Sequence, residues 1–276
     1  MTLPLAQRGS TRLRAGSARR RVAIRGLTGT LLFVLILEAV PRLGLVNPAY
    51  LPPFSEIMVA LGAQAATPAF WTLLGQTVFG WFTGLIIALV AGIALGMFIG
   101  SLKWVREATH STIEFLRPIP SVALIPLAVI LFGTDMRSTL LLVVYATFWQ
   151  VLIQVLSGVQ DVDPIARETA RSYRFRPLTQ LRSLVWPTAL PYVMTGVRLG
   201  ASVALILEIT GELVIGSPGI GKQIVLSQTA GQVATMYAFV IVAGMLGVAV
   251  NLGTRLLERR VLRWHTSIRR DQEGSP

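Results

Sequence analysis

Residues Asp161–Pro191 read DVDPIARETARSYRFRPLTQLRSLVWPTALP, and the fold turns on how this stretch is read. It is the longest polar interval between apolar runs. It carries five arginines (Arg167, Arg171, Arg174, Arg176, Arg182) and three acids (Asp161, Asp163, Glu168). Asp163 before Pro164 has the form of an N-cap followed by proline at the first helical position. A short helix is therefore expected over Ile165–Tyr173, stopped or restarted at Pro177. Leu178, Leu181, Leu184 and Val185 then recur at helical spacing, so a second short helix is expected, with Pro187 ending it. Connections between elements run to about 4–6 residues, so a structured interval of roughly 30 residues implies a task. Two tasks fit these residues: docking to another protein, or lying as a basic surface on anionic lipid.

The chain on either side is that of a membrane protein. Its 276 residues are 53% hydrophobic and 14% charged, with mean hydropathy +0.64. Soluble domains carry about 25% charged residues. Without cysteine there is no disulfide framework and no thiolate metal site, and His110 and His265 have no carboxylates spaced to complete a metal centre. A net charge of +12 would direct a soluble protein to nucleic acid. Here the positive charges flank apolar runs, and the positive-inside rule accounts for them without nucleic acid.

In chain order, residues 1–26 hold seven arginines and no acid, the composition of a disordered basic tail. Arg19-Arg20-Arg21 ahead of an apolar run imitates a twin-arginine export signal, but no small-residue cleavage site follows. Leu27–Val46 is a first expected span, with Glu38 and Arg42 spaced to pair. Ser55 is placed to cap a short helix over Glu56–Gln64. Phe70–Ser101 is a second span. Its small residues fall every four positions (Gly80, Gly84, Ala88, Gly92, Gly96, Gly100), a seam for close packing against another helix. Lys103, Arg106 and Glu107 mark a polar turn. The segment Ile113–Leu127, running on to Phe132-Gly133, then holds Pro118, Pro120 and Pro126, too many prolines for a regular helix. Broken backbone at membrane depth is tolerated only inside protein or beside a water-filled cavity, so these prolines, with Glu114 and Arg117, are candidates for lining a pathway. Glu114 and Arg117 are three apart and spaced to pair. Thr139–Gly158, Tyr192–Ile215 and Tyr237–Leu256 complete the expected spans, the fifth carrying Glu208 and Glu212 on one face as further pathway candidates. Gly216–Gln223 satisfies the glycine and lysine positions of a phosphate-binding loop. However, Gln223 replaces the required Ser/Thr and an apolar helix precedes it, so an ATP site is excluded. Six spans place both basic tails and the 159–191 loop on one side of the membrane.

Within the loop, Glu168-Thr169-Ala170, position 174 and Leu184-x-Trp186-Pro187 keep the register of E-A-A-x-x-x-G followed nine residues later by I-x-L-P. That motif belongs to the permeases of ABC importers, which the chain resembles over roughly 50–260. Two stretches resemble the nitrate/sulfonate/taurine subgroup in particular: Leu51-Pro52-Pro53-Phe54-Ser55, and Phe115-Leu116-Arg117-Pro118-Ile119-Pro120-Ser121 through Pro126. Thr169, Leu184 and Trp186 are mild exchanges. Arg174 stands where the motif has glycine, which bears on the turn between the two short helices.

The resemblance implies an all-α, polytopic type I importer permease of about six transmembrane helices in the bacterial inner membrane. Both termini are cytoplasmic in that reading, and a permease domain spans 27–260 between tails at 1–26 and 261–276. It implies that Glu168, Thr169, Ala170, Arg171, Arg174 and Pro187 belong to a coupling loop docking on a dimer of ATP-binding subunits, which hold ATP and magnesium, while this chain has no cofactor. It further implies a second permease copy and an extracytoplasmic solute-binding protein as partners, with membrane lipid around them. The implied solute is of the nitrate, sulfonate, taurine or vitamin-precursor type. Two other classes stay open on the residues alone. An ion-coupled transporter or channel would use Glu208 as its intramembrane carboxylate, and a membrane enzyme would need a nucleophile–base set that is not evident.

Overall fold

The computed structural model describes residues 25, 26 and 28–263, and among these it is helical throughout, without strands. The expected basic tail lies outside the described residues except for its last two positions, as does the C-terminal tail from 264 on. In chain order the helices are α1 (28–42), α2 (Phe54–Ala65), α3 (Pro68–Ser101), α4 (Lys103–Leu116), α5 (Ile125–Phe132) and α6 (Met136–Gln160). They continue with α7 (Pro164–Ser172), α8 (Pro177–Gln180), α9 (Trp186–Ile215), α10 (Ile220–Thr229) and α11 (Val233–Val261).

Among the described residues, four helical stretches are long and apolar enough to cross a membrane: α3, α6, the run Pro177–Ile215 that contains α8 and α9, and α11. A fifth crossing results if α4 and the segment Ser121–Phe132, bent by 80° between them, count as one. The described part of α1 spans only ~22 Å at 1.5 Å per residue, less than the ~30 Å of a hydrocarbon core.

The bundle is built on α6, which lies between α3 and α9. The reason is visible in the glycines of α3. A Cβ added at Gly84 would sit 2.5 Å from Val143 Cγ1, and one at Gly92, Gly96 or Gly100 would sit 2.8–2.9 Å from Val151, Val155 or Val159 respectively. Each missing side chain thus receives a valine from α6, and the valines recur with the same four-residue period. In lipid no water-driven apolar attraction separates one helix face from another, so close backbone approach and dispersion supply the association. The α6–α9 contact uses the same device. Gly158 faces Ala189 and Tyr192, Gly200 faces Thr147, and Gly211 faces Thr139. Trp81 Nε1 donates to Ala201 O at 2.9 Å, joining α3 directly to α9.

Prolines set the irregular features. α4 stops at Leu116, ahead of Pro118. Pro120 precedes the 3-10 turn Ser121–Leu124, and Pro126 lies in the first turn of α5, where its missing N–H costs nothing. The carbonyls freed at these breaks are taken up. Tyr145 donates its hydroxyl to Leu116 O (2.7 Å), and Ser138 Oγ donates toward Ala128 O (3.0 Å) and Gly133 O (2.6 Å).

Four local expectations are corrected. Lys103–Glu107 is the first turn of α4 rather than a loop, with only Leu102 separating it from α3. Ser55 does not cap α2. Instead its own N–H and hydroxyl both donate to the Glu38 carboxylate at 2.9 Å, while Arg42 pairs with Glu38 at 2.7 Å. Pro187 does not end a helix, because α8 leads through a π turn, Leu181–Val185, straight into α9. There Trp186 N–H reaches back to Leu181 O, five residues away, and the widened turn accommodates a proline that would clash in a regular helix. Glu114 lies against His110 (3.5 Å) rather than Arg117.

Gly92→Leu forces a side chain into Val151 and is expected to destabilise by about 1–3 kcal/mol, whereas Gly244→Leu, on an open face of α11 with nothing within 4 Å, is expected to be neutral. Thermal unfolding of both variants in detergent checks the contrast.

Candidate functional site

Three groups of residues concentrate the chemistry: the loop over 159–191, the cleft beside α4, and the turn after α9.

The loop is held as a rigid projection from the end of α6. Asp163 caps α7, accepting from Ile165 N at 2.9 Å, with Pro164 at the first position. Arg167 Nη2 donates to Val159 O (3.1 Å), an orphan carbonyl of the last turn of α6. Tyr192 hydroxyl donates to Asp161 Oδ2 at 2.9 Å, tying the loop's start to α9. At the far end of α7, Arg174 N donates to Arg171 O (2.9 Å) and Phe175 N to Ala170 O (3.0 Å). These two bonds form a Schellman closure, whose left-handed position falls to glycine in most helices. Arg174 occupies it at φ 53°, the one positive-φ non-glycine residue among those described. The turn that the motif builds with glycine is therefore made here by arginine, against a steric cost of about 1–2 kcal/mol.

What α7 and its turn present outward is mixed. Ile165, Tyr173 and Leu178 are 73–75% exposed. Glu168, Thr169, Arg171 and Arg174 are exposed beside them, and Ala170 is buried underneath. The Glu168 carboxylate and the Arg171 and Arg174 guanidinia have no hydrogen bond or ion pair among the described residues. Pro187 is half-buried and not part of this surface.

α4 bears its charges along one face and, with the second half of α6, encloses a cleft of about 950 Å³. Arg106, His110, Glu114, Arg117 and Pro118 line it from α4 and its end, with Ser157 and Gln160 opposite. Pro120 and Pro126 do not line it. They shape the bend beyond.

Glu208 and Glu212, expected as pathway candidates, lie elsewhere and are sealed, 1% and 0% exposed. Glu212 Oε1 accepts from Thr77 Oγ1 (2.7 Å), Oε2 accepts from Gly221 N (2.7 Å), and Thr77 Oγ1 accepts from Ile220 N (2.9 Å). A Cβ on Gly219 would overlap the Glu212 carboxylate, so the Gly216–Gly221 turn folds directly over it. Glu208 fills the space left by Gly80, where a Cβ would overlap its Oε1, and its Oε2 has no partner. Glu212 therefore fastens the turn to α3 and α9, Glu208 packs into α3 at Gly80, and both stand away from the cleft. The contacts of Thr77, Tyr192 and the pair Arg198–Glu258 (3.4 Å, joining α9 to α11) leave no local pattern in the sequence, because their partners lie 31 to 143 residues away.

A bundle of apolar helices with one broken crossing, a charged cleft and a structured loop at one end is the architecture of a multi-pass transport component. The chain belongs to the family described as binding-protein-dependent transport system inner membrane component, whose model matches residues 88–263. Similar proteins include the taurine transport system permease protein TauC of Escherichia coli, 31% identical over 249 residues, covering 87% of this chain and 90% of that one. Another is the aliphatic sulfonates transport permease protein SsuC of Bacillus subtilis, 26% identical over 244 residues, covering 88% of each. Among solved structures, the fold matches a chain of the inward-facing MetNI methionine ABC transporter with TM-score 0.61 at 14% identity, over 70% of this chain and 96% of that one.

Two predictions follow from the geometry. Chymotrypsin cleavage after Tyr173 or Phe175 reports local opening of the Arg174 turn. Arg174→Ile, a β-branched residue in a left-handed position, is expected to speed it at least fivefold, and Arg174→Gly to leave it equal or slower, about 1 kcal/mol being worth a factor of five. Thr77→Val strands Glu212 Oε1 and Ile220 N inside the bundle and is expected to lower stability by about 2–4 kcal/mol, read as a drop in the thermal midpoint.

Proposed function

We propose that this chain is the pathway-forming permease subunit of an ABC importer, coupled through α7 to a separate ATP-hydrolysing subunit. In this reading it lies in a bacterial inner membrane, with both termini and the 159–191 loop in the cytoplasm. It pairs with a second permease copy and receives solute from an extracytoplasmic binding protein. ATP and magnesium belong to the partner dimer. The solute is a small molecule of the sulfonate, taurine or nitrate type, by likeness to the relatives' named substrates.

The single observation that carries the reading is the exposed surface of α7. A helix of nine residues, fixed to α6 and α9 by Arg167 and Asp161, has no reason to project Ile165, with Tyr173 at its end and Leu178 on the adjoining α8, into water unless a partner covers them. An aromatic and aliphatic centre rimmed by unpaired arginines and one acid is the composition of a protein interface, where a few buried anchors dominate. Lipid contact alone would use the arginines but would not account for the rigid fastening or the unpaired Glu168. The ion-coupled alternative is disfavoured, because its only intramembrane candidate, Glu208, is packed against Gly80 and does not meet the cleft.

Mechanically, displacement of α7 by a partner passes to α6 through the Arg167–Val159 bond and to α9 through Asp161–Tyr192. The cleft between α4 and α6 is then the cytoplasm-facing part of the pathway, and movement of α6 opens or closes it.

In proteoliposomes holding the full importer, Tyr173→Ala is expected to weaken association of the ATP-hydrolysing subunit about 30-fold, the equivalent of ~2 kcal/mol for an interface anchor. Glu168→Ala is expected to reduce ATP-driven uptake about tenfold with the thermal midpoint of the bundle unchanged. A Glu168→Ala protein that binds its ATPase and imports normally contradicts the assignment.

A further inference from the structure

Resting on the pathway reading above, the geometry points to Arg117 as the group that selects anions in the α4–α6 cleft. Counting charges on α4 alone makes the cleft look neutral or even repellent to anions, since Glu107 and Glu114 face it. The pairing changes that count. Glu107 is engaged by Lys103 at 3.8 Å, and Glu114 lies 3.5 Å from His110, a contact that cancels its charge only when the imidazole is protonated; each partner is one helical turn away. Arg106 Nη1 is turned to the Gly100 carbonyl at 3.5 Å. Arg117 has nothing: its guanidinium makes no hydrogen bond or ion pair with any described residue. The carbonyl nearest in sequence, Leu116 O, is already occupied by the Tyr145 hydroxyl (2.7 Å) and by Ile119 N (3.2 Å).

Among the charges lining the cleft, the exposed Arg117 lies farthest along the chain from the start of α4. Leu116 is fixed to Tyr145, about 14 Å along α6 from its start at the end opposite the loop, taking 1.5 Å per residue. Gln160, the last residue of α6, lines the same cleft at the loop end. A solute passing along the cleft therefore meets, at its inner limit, one unpaired guanidinium with five donors. A guanidinium holds a carboxylate, sulfonate or nitrate through paired, charge-assisted hydrogen bonds. An unpaired charge at membrane depth is expensive and is kept where it meets a transported group. The ligand class assigned to Arg117 is a compact oxyanion, either free or as the anionic end of a zwitterion.

Because the chain has no native cysteine, a single engineered thiol reports the cleft without interference from the rest of the chain. Ser157→Cys is placed on the α6 wall in inside-out membrane vesicles carrying the full importer, and labelling of the tagged chain is followed. The probes are the anionic sulfonatoethyl and the cationic trimethylammonioethyl methanethiosulfonates, each rate being divided by that with a free small thiol. The expected result is at least a threefold preference for the anionic reagent, kept in Arg117→Lys and lost in Arg117→Gln. Equal preference in the presence and absence of the Arg117 charge overturns the assignment while leaving the pathway reading standing. A thiol unreactive toward both reagents, with Ser111→Cys equally silent, shows a cleft closed to water and overturns both. Matched thermal midpoints for the Lys and Gln variants separate loss of charge from loss of fold.

Discussion

The close approach of α3 to α6 is the constraint on which the rest of the bundle depends. Four valines of α6 occupy the places of missing side chains on α3, so the two backbones are locked in register over most of their length. That lock fixes α6, and α6 in turn carries both working features: its last carbonyls hold α7, and its second half forms one wall of the cleft. Glycine in a helix is costly in water, by roughly 0.5–1 kcal/mol relative to alanine. In lipid the cost is offset by van der Waals contact that no larger residue would permit. The same glycine device at Gly158, Gly200 and Gly211 brings α9 to the other side of α6. The loop bearing α7 is therefore fastened to a three-helix unit rather than to a single flexible span.

Local pattern carried much of this arrangement. The four-residue run of small residues on α3 was readable as a packing face without knowing its partner. Asp163-Pro164 marked the start of α7 because capping chemistry is confined to adjacent residues. Three prolines within nine positions marked the break after α4, since no regular helix accommodates them. Charge and hydropathy placed the chain in a membrane, and the spaced motif from Glu168 to Pro187 placed it among transport components.

What escaped the sequence is non-local or counterintuitive. Pro187 read as a helix end and lies within a continuous one, because a π turn just upstream widens the backbone and removes the clash. Arg174 in the position of a glycine left the turn geometry open, and two Schellman hydrogen bonds close it with arginine at a left-handed position against the steric penalty. Glu208 and Glu212 carried the charge expected of a pathway and proved to be buried, one against Gly80 and the other under the Gly216–Gly221 turn. Nothing around either acid announces Thr77 or Gly80, more than 120 residues earlier, as its neighbour. Glu114 and Arg117 looked like a pair at helical spacing, but a better-placed His110 takes the acid and leaves the arginine alone.

The central claim is that the surface on α7 is covered by an ATP-hydrolysing partner, and purification of the tagged chain from its native membranes in mild detergent tests it most directly. The account predicts recovery of an ATP-binding subunit in equal proportion to this chain, lost when residues 164–176 are replaced by a flexible linker. Recovery of the chain without such a subunit, together with solute flux that follows an ion gradient and ignores ATP, would contradict it.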